Sequence, residues 1–307
     1  MVKLMTLKLI ENYYKIVKKI GYQPLISSGQ FLYEYKNKKI LEFIQKNIDV
    51  HYLYQQIILN NYELSSSNTI WISWLQGEES APYVVKKCIE SVREHANGKE
   101  VIVLTEDNYQ EFVEIPLEIL KKYNLGLIKK TQFSDCIRLN LLSQNGGMWI
   151  DATIFLTKDI TKDFSGLDLF SLHSKNEPLH PISKGLWSCY YIYSPKNHVT
   201  LQLAASIFND YFIKFDQLID YFLMDYILLL AVRMTGMEEN LRNNKVNGNE
   251  RFYLFGKLNE VMTDEIKDKI DESFGVHKLT YKKKYNHFKN NHVTVYHYYI
   301  GKEELET

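Results

Sequence analysis

The chain has 307 residues, 45% hydrophobic and 24% charged, with 37 Lys plus Arg balancing 37 Asp plus Glu. These fractions exclude a disordered chain, and the length allows a substantial core in one large domain or two. A zero net charge argues against a dedicated nucleic-acid binder, which carries a basic excess, so no nucleic-acid partner is expected.

Residues 1 to about 66 read as helical. Ile10, Tyr13, Tyr14, Val17 and Ile20 recur at helical spacing, and Gly21 and Pro24 signal the end of that helix. A second helical run extends from about Ile40 to Asn60. This region holds nine Lys against five acids, which suits either a solvated helical cap or a basic surface resting on an anionic membrane face. Ser65 to Asn68 reads as a linker, and the texture then changes. Thr69 to Trp74 predicts a strand, Pro82 to His95 a helix with Pro in its first turn, and Val101 to Leu104 a strand. Leu117 to Tyr123 and Thr131 to Gln144 predict helices, the second stopped by Gly146 and Gly147. Met148 to Phe155, Leu167 to Leu172 and Tyr190 to Tyr193 read as strands, and His198 to Phe212 and Asp216 to Met234 as helices. Alternating strands and helices imply a mainly parallel sheet with helices on its faces.

The three cysteines form no CxxC pair, so neither a zinc site nor a disulfide framework is expected, and a reducing cytoplasm fits. The N-terminus lacks a long apolar run with a cleavage site, and no span of about 18 apolar residues occurs.

The segment Ser134 to Phe155, SDCIRLNLLSQNGGMWIDATIF, carries the chemistry. Asp135 and Arg138, three apart, share a helix face. Strand alternation puts Trp149, Asp151 and Thr153 on one side. A carboxylate in an apolar strand is costly without a partner, and Asp151 lies near the carboxyl edge, where open α/β sheets bind ligands. Taken singly, Asp135 and Arg138 could form a plain intrahelical ion pair and Asp151 could cap a turn. Asp220 and Asp225, placed on one helix, point about 140° apart, so only one faces a cleft. Asp225, among Leu223, Met224 and Ile227, ranks first.

The pattern SDxxRxxLLxxxGGxWxDAT resembles the GT-A nucleotide-sugar glycosyltransferases, and within them the bacterial capsular polysaccharide synthesis family. It is more distantly similar to the mannosyl and galactosyl transferases with an S-D-x-x-R and G-G-x-Y-x-D-x-D signature, and to the large clostridial glucosylating toxins. Ile70 to Gly77 (IWISWLQG), Ala81 to Val92 (APYVVKKCIESV), Val101 to Asn108 (VIVLTEDN), Leu218 to Tyr226 (LIDYFLMDY) and His277 to Tyr281 (HKLTY) extend the resemblance over about residues 66 to 282. It implies a Rossmann-like GT-A domain over residues 67–307 behind an N-terminal helical segment, residues 1–66.

By that resemblance Trp74 stacks on uracil, Asp135 and Arg138 bind the donor sugar, and Asp151 is the first aspartate of the Asp-x-Asp element, which holds a divalent cation against the diphosphate. The second aspartate is here Thr153, and a hydroxyl is a weak ligand for a hard cation. Mn²⁺ or Mg²⁺ on Asp151 is the expected cofactor, with His277 either a further ligand or, as a lone His more often is, a structural hydrogen-bonding residue. Gly275 to Lys302 has no acid but six Lys and four His. It reads as a solvated basic tail or as a segment folding over the diphosphate through His277 and Lys278.

The resemblance implies a cytoplasmic enzyme on the inner face of the membrane. It would transfer galactose or glucose from a UDP-hexose to a lipid-diphosphate-linked oligosaccharide, with retention. A non-catalytic sugar-binding or scaffold component, favoured by Thr153, is the alternative. A two-carboxylate glycoside hydrolase is disfavoured, because Arg138 keeps Asp135 charged.

Overall fold

The computed structural model of the chain describes residues 9–13, 16, 23–60, 62–160, 166–174, 182–243 and 248–302. Residues 9–13 and 16 are helical; Tyr14, Val17, Ile20 and Gly21 lie outside the described residues. The expected end of the first helix, signalled by Gly21 and Pro24, falls among residues 17–22, outside the described residues. Helix α1 is described over Gln23–Asn47. Helix α2 (Val50–Asn60) follows. Ile40, Ile44 and Ile48, four apart, form a fully buried stripe, each worth about 2 kcal/mol of apolar burial. That stripe lies in the main core of the protein rather than in a core of its own.

Strands β1 (Ile70–Ser73), β2 (Val101–Leu104) and β3 (Gly147–Ile150) are parallel neighbours, with β1 central. Beside β3 run β6 (Tyr191–Ser194) and then β5 (Phe170–Ser171), both pairings antiparallel. The sheet order is β2-β1-β3-β6-β5, so the sheet is mixed rather than mainly parallel. The α/β class with helices before it is as expected.

Side-chain alternation sorts the sheet's two faces. Trp71 and Trp149 point to the main core, with α5 (Lys130–Asn145), α6 (Val199–Lys214) and α7 (Leu223–Thr235). Ile70, Ile72, Met148 and Ile150 point the other way, onto α3 (Tyr83–Glu94). Helix α4 (Leu117–Asn124) sends Ile119 into the main core.

Two expected elements are shorter than the sequence suggests. The strand read as Met148 to Phe155 breaks at Asp151, whose carbonyl accepts from Ile154 N–H at 2.9 Å in a turn. The chain then enters β4 (Ile154–Leu156), which belongs to a second sheet with β7 (Val276–Lys278), antiparallel. The helix read from Asp216 begins only at Leu223. Asp220 stays outside it because its carboxylate accepts from Phe222 N–H at 2.9 Å and pairs with Lys36 at 2.6 Å. These bonds hold a turn in place of a helical one.

Candidate functional site

The glycines after α5 fix where β3 emerges. Gly146 and Gly147 have φ of +65° and +98°. A Cβ on Gly147 would lie 2.5 Å from Thr69 O and 2.7 Å from Trp71 Nε1. Only glycine lets the helix stop and the strand dock against β1 at once. This junction brings Asp135 and Arg138 on α5 within reach of Asp151 at the end of β3.

Arg138 is the hub. Its Nη1 lies 3.1 Å from Asp135 Oδ1, and its Nη2 donates to Asp151 Oδ1 at 3.0 Å. The guanidinium stacks 4.7 Å from the Trp149 ring centroid, and Nη1 also contacts Met224 Sδ at 3.1 Å. Trp149 Nε1 donates to the same Asp151 oxygen at 2.9 Å. The other oxygen, Oδ2, takes Lys278 Nζ at 2.7 Å. Lys278 reaches it because β7 pairs Lys278 opposite Ile154. Lys278 N–H donates to Arg251 O at 2.7 Å and Leu279 N–H to Thr153 O at 2.8 Å. Its ammonium also sits 4.7 Å from the Tyr190 ring centroid.

Asp135, Arg138, Asp151, Tyr190, Met224 and Lys278 line one cleft of about 340 Å³, together with Trp187, Cys189, Tyr221, Asp225 and Arg251. Its charged side chains are three cations, Arg138, Arg251 and Lys278, against three carboxylates, Asp135, Asp151 and Asp225. The carboxylates are tuned apart. Burial pushes Asp135 up to about 6, with Arg138 opposing and Asp151 and Asp225 adding to the rise. Burial acts on Asp151 too, but Lys278 and Arg138 outweigh it and hold that carboxyl below the usual range. Asp225 accepts from Trp187 Nε1 at 2.9 Å and contacts Cys189 Sγ at 3.3 Å. Burial, then the Asp225 charge, keep that thiol protonated.

The structure thus gathers Asp135, Arg138, Asp151 and Lys278. Asp225 lines the cleft too, and Asp220 is the paired one of the two acids. Trp74, Thr153 and His277 are not among the cleft's lining residues. Trp74 is half-buried and meets Tyr281 edge-on at 5.5 Å between centroids. His277 precedes Lys278 on β7 and therefore faces the opposite side, where its Nε2 bonds Thr157 Oγ1 at 3.0 Å. Burial, and then Lys158, lower its pKa to about 4. Sequence reasoning missed Trp187, Cys189, Tyr221 and Arg251; the sole advance signal was Asp225, an acid in an apolar run, which bonds Trp187 and Cys189.

The residues present do not fit a divalent cation as the sequence suggests. Both Asp151 oxygens already hold cationic or N–H donors, His277 is turned away, and Thr153 brings no charge. Among the described residues no group of three or more His, Cys, Asp or Glu is placed to share a metal ion.

Fold and cleft define an α/β protein with a charged cleft at the carboxyl end of a central strand. The sequence matches the capsular polysaccharide synthesis protein family over residues 22–299, and the chain belongs to that family. The comparison with curated proteins finds no match. A solved structure titled "PaToxG Glycosyltransferase" is similar at 14% identity and a TM-score of 0.38, covering 78% of this chain and 93% of that one. Among the described residues no helix is long and apolar enough to cross a membrane.

Proposed function

We propose that this protein is a glycosyltransferase of capsule assembly, transferring a hexose, glucose or galactose, from a UDP-sugar to a lipid-diphosphate-linked oligosaccharide with retention. One observation carries the reading: in a chain of the capsular family, Asp135, Arg138 and Asp151 converge with Lys278 at the carboxyl end of β3. In this role Asp135 accepts hydrogen bonds from donor-sugar hydroxyls while Arg138 fixes its orientation. Lys278 and Arg251 face the diphosphate. The acceptor hydroxyl oxygen bonds to the anomeric carbon. The bond from that carbon to the β-phosphate oxygen breaks, its electron pair stays on the phosphate, and the hydroxyl proton ends there. Charge growing on the diphosphate is what fixed cations in the cleft stabilise. The lipid-linked acceptor places the work at the inner membrane face, where the basic N-terminal region suits an anionic surface.

A thermal-shift screen of UDP, UDP-Glc, UDP-Gal, UDP-GlcNAc and UDP-GalNAc tests this reading, followed by product analysis with the donor that binds. A bound donor raises apparent stability with its affinity and concentration. If none shifts the unfolding temperature and none is hydrolysed or transferred, the proposal fails. The alternative, a non-catalytic sugar-binding component, draws on Thr153 and predicts binding without turnover.

A further inference from the structure

We infer that the cation this site sets against the diphosphate is the Lys278 ammonium, standing where a divalent metal is expected, so that nucleotide binding is independent of metal. The inference rests on the UDP-sugar reading and says how that site handles charge.

The first observation is occupancy. Asp151 is the carboxylate expected to hold the metal. Its Oδ1 accepts from Arg138 and Trp149 at 3.0 and 2.9 Å, and its Oδ2 carries Lys278 Nζ at 2.7 Å. A dication on Oδ2 would stand beside the ammonium, and two like charges at such range repel strongly in a partly buried cleft. Hard cations also want several oxygen ligands, and no second carboxylate adjoins Asp151 in sequence.

Charge balance is the second. An Asp-x-Asp pair brings two negative charges to meet a dication. Here Thr153 removes one of them, and Lys278 brings a single positive charge. One carboxylate against one ammonium keeps the element neutral, as two carboxylates against a dication would. Thr153 and the lysine on Asp151 are therefore matched in charge.

Rigidity is the third. A metal is useful because its ligands fix it; a lysine on a loose loop would not replace it. Lys278 is held at its backbone on both sides, by Arg251 O and by the neighbouring Leu279 bond to Thr153 O. At its tip it is held by Asp151 and the Tyr190 ring. An ammonium has three N–H donors. Asp151 takes one, the Tyr190 ring faces another, and the side chain lines the cleft, so the third faces where phosphate oxygens arrive. Lys278 acts here by charge and gives up no proton.

Isothermal titration of the full chain with UDP, in EDTA and again with Mn²⁺, is the test. The expected result is affinity in EDTA within about threefold of that in Mn²⁺. Lys278→Gln then weakens UDP binding roughly 10- to 100-fold in either buffer, as removal of a charge-assisted contact does. Lys278→Arg, which keeps the charge, retains most of the affinity and controls for folding, alongside circular dichroism of each variant. Binding of UDP only when Mn²⁺ is present overturns the inference and leaves the UDP-sugar reading standing. Binding in EDTA that Lys278→Gln does not weaken overturns the role of Lys278. Absence of UDP binding in both buffers removes the UDP-sugar reading, and the inference falls with it.

Discussion

Replacing Lys36 by methionine removes a cation that the fold fully encloses. The Lys36 side chain is 0% exposed and that of its partner Asp220 5%, with Nζ and Oδ2 2.6 Å apart. The ammonium also lies 4.7 Å from the Tyr33 ring centroid. Breaking a buried pair from one side costs about 3–5 kcal/mol, because the remaining charge has no solvent to turn to. Asp220 keeps one hydrogen bond, from Phe222 N–H, so the lower end, about 3 kcal/mol, is expected for Lys36→Met. In Lys36→Met with Asp220→Asn, the enclosed charge is removed on both sides, only the partly exposed Glu11 loses its 3.7 Å contact with Lys36, and the Phe222 N–H keeps an acceptor; the cost should fall to about 1 kcal/mol. Asp220→Asn alone leaves the ammonium only Glu11, 3.7 Å away, and should cost about 2 kcal/mol; urea unfolding of both single variants and the double variant then gives a coupling energy expected near 4 kcal/mol. The pair also joins α1 to the turn carrying Tyr221 and Phe222 into the cleft, so UDP affinity should drop in Lys36→Met and recover in the double variant. A single-variant cost below about 1 kcal/mol, or strictly additive costs, would refute the reasoning.

Three more outcomes are expected. Arg138→Lys should lose most transferase activity although charge is kept, because one ammonium cannot bridge Asp135 and Asp151 as the planar guanidinium does; steady-state kinetics beside Arg138→Ala would show the lysine variant nearer to alanine than to wild type. Asp135 is held at about 6, above its ordinary value, so its protonated form favours the fold. Its stabilising contribution is therefore full below about pH 4 and lost as pH rises through 6; Asp135→Asn should remove a slope on the order of 2 kcal/mol between those values in unfolding measured across pH. Asp151, held low, works oppositely and loses its contribution only in strong acid. Gly147→Ala should cost about 3 kcal/mol or prevent soluble expression, since the added carbon meets Thr69 O and Trp71 Nε1; a melting temperature within a degree or two of wild type would contradict the close approach.

Much of this arrangement is legible in the sequence, for local reasons. Val101 to Leu104 forms the strand its β-branched run predicts, and the paired glycines end α5 where expected. Asp135, Arg138 and Asp151 lie within 17 residues of one another, so helix and strand periodicity alone brings them near a common edge. What periodicity cannot supply is a tertiary partner. Nothing near Asp151 announces that the strand breaks there, because the segment beyond the turn pairs with β7, whose Lys278 lies 127 residues from Asp151. The start of α7 departs from the sequence expectation for the same reason: Asp220 is drawn out of the helix by Lys36, 184 residues before it. Arg251 and Trp187 enter the cleft from loops, which carry no periodic signal. His277 and Lys278 looked equivalent as basic neighbours, and only the pairing of β7 with β4 decides which of the two faces Asp151.

The break at Asp151 means that the two charges meeting at 2.7 Å ride on separate platforms, one at the end of the five-stranded sheet and the other on the two-stranded one. Their separation is therefore a gauge of how the platforms sit. A slide of β7 by a single residue would turn Lys278 outward and bring His277 in, reversing the polarity of that wall. The pair acts as a clasp across a seam, and the seam's alignment is set by the charges that a ligand would come to grip.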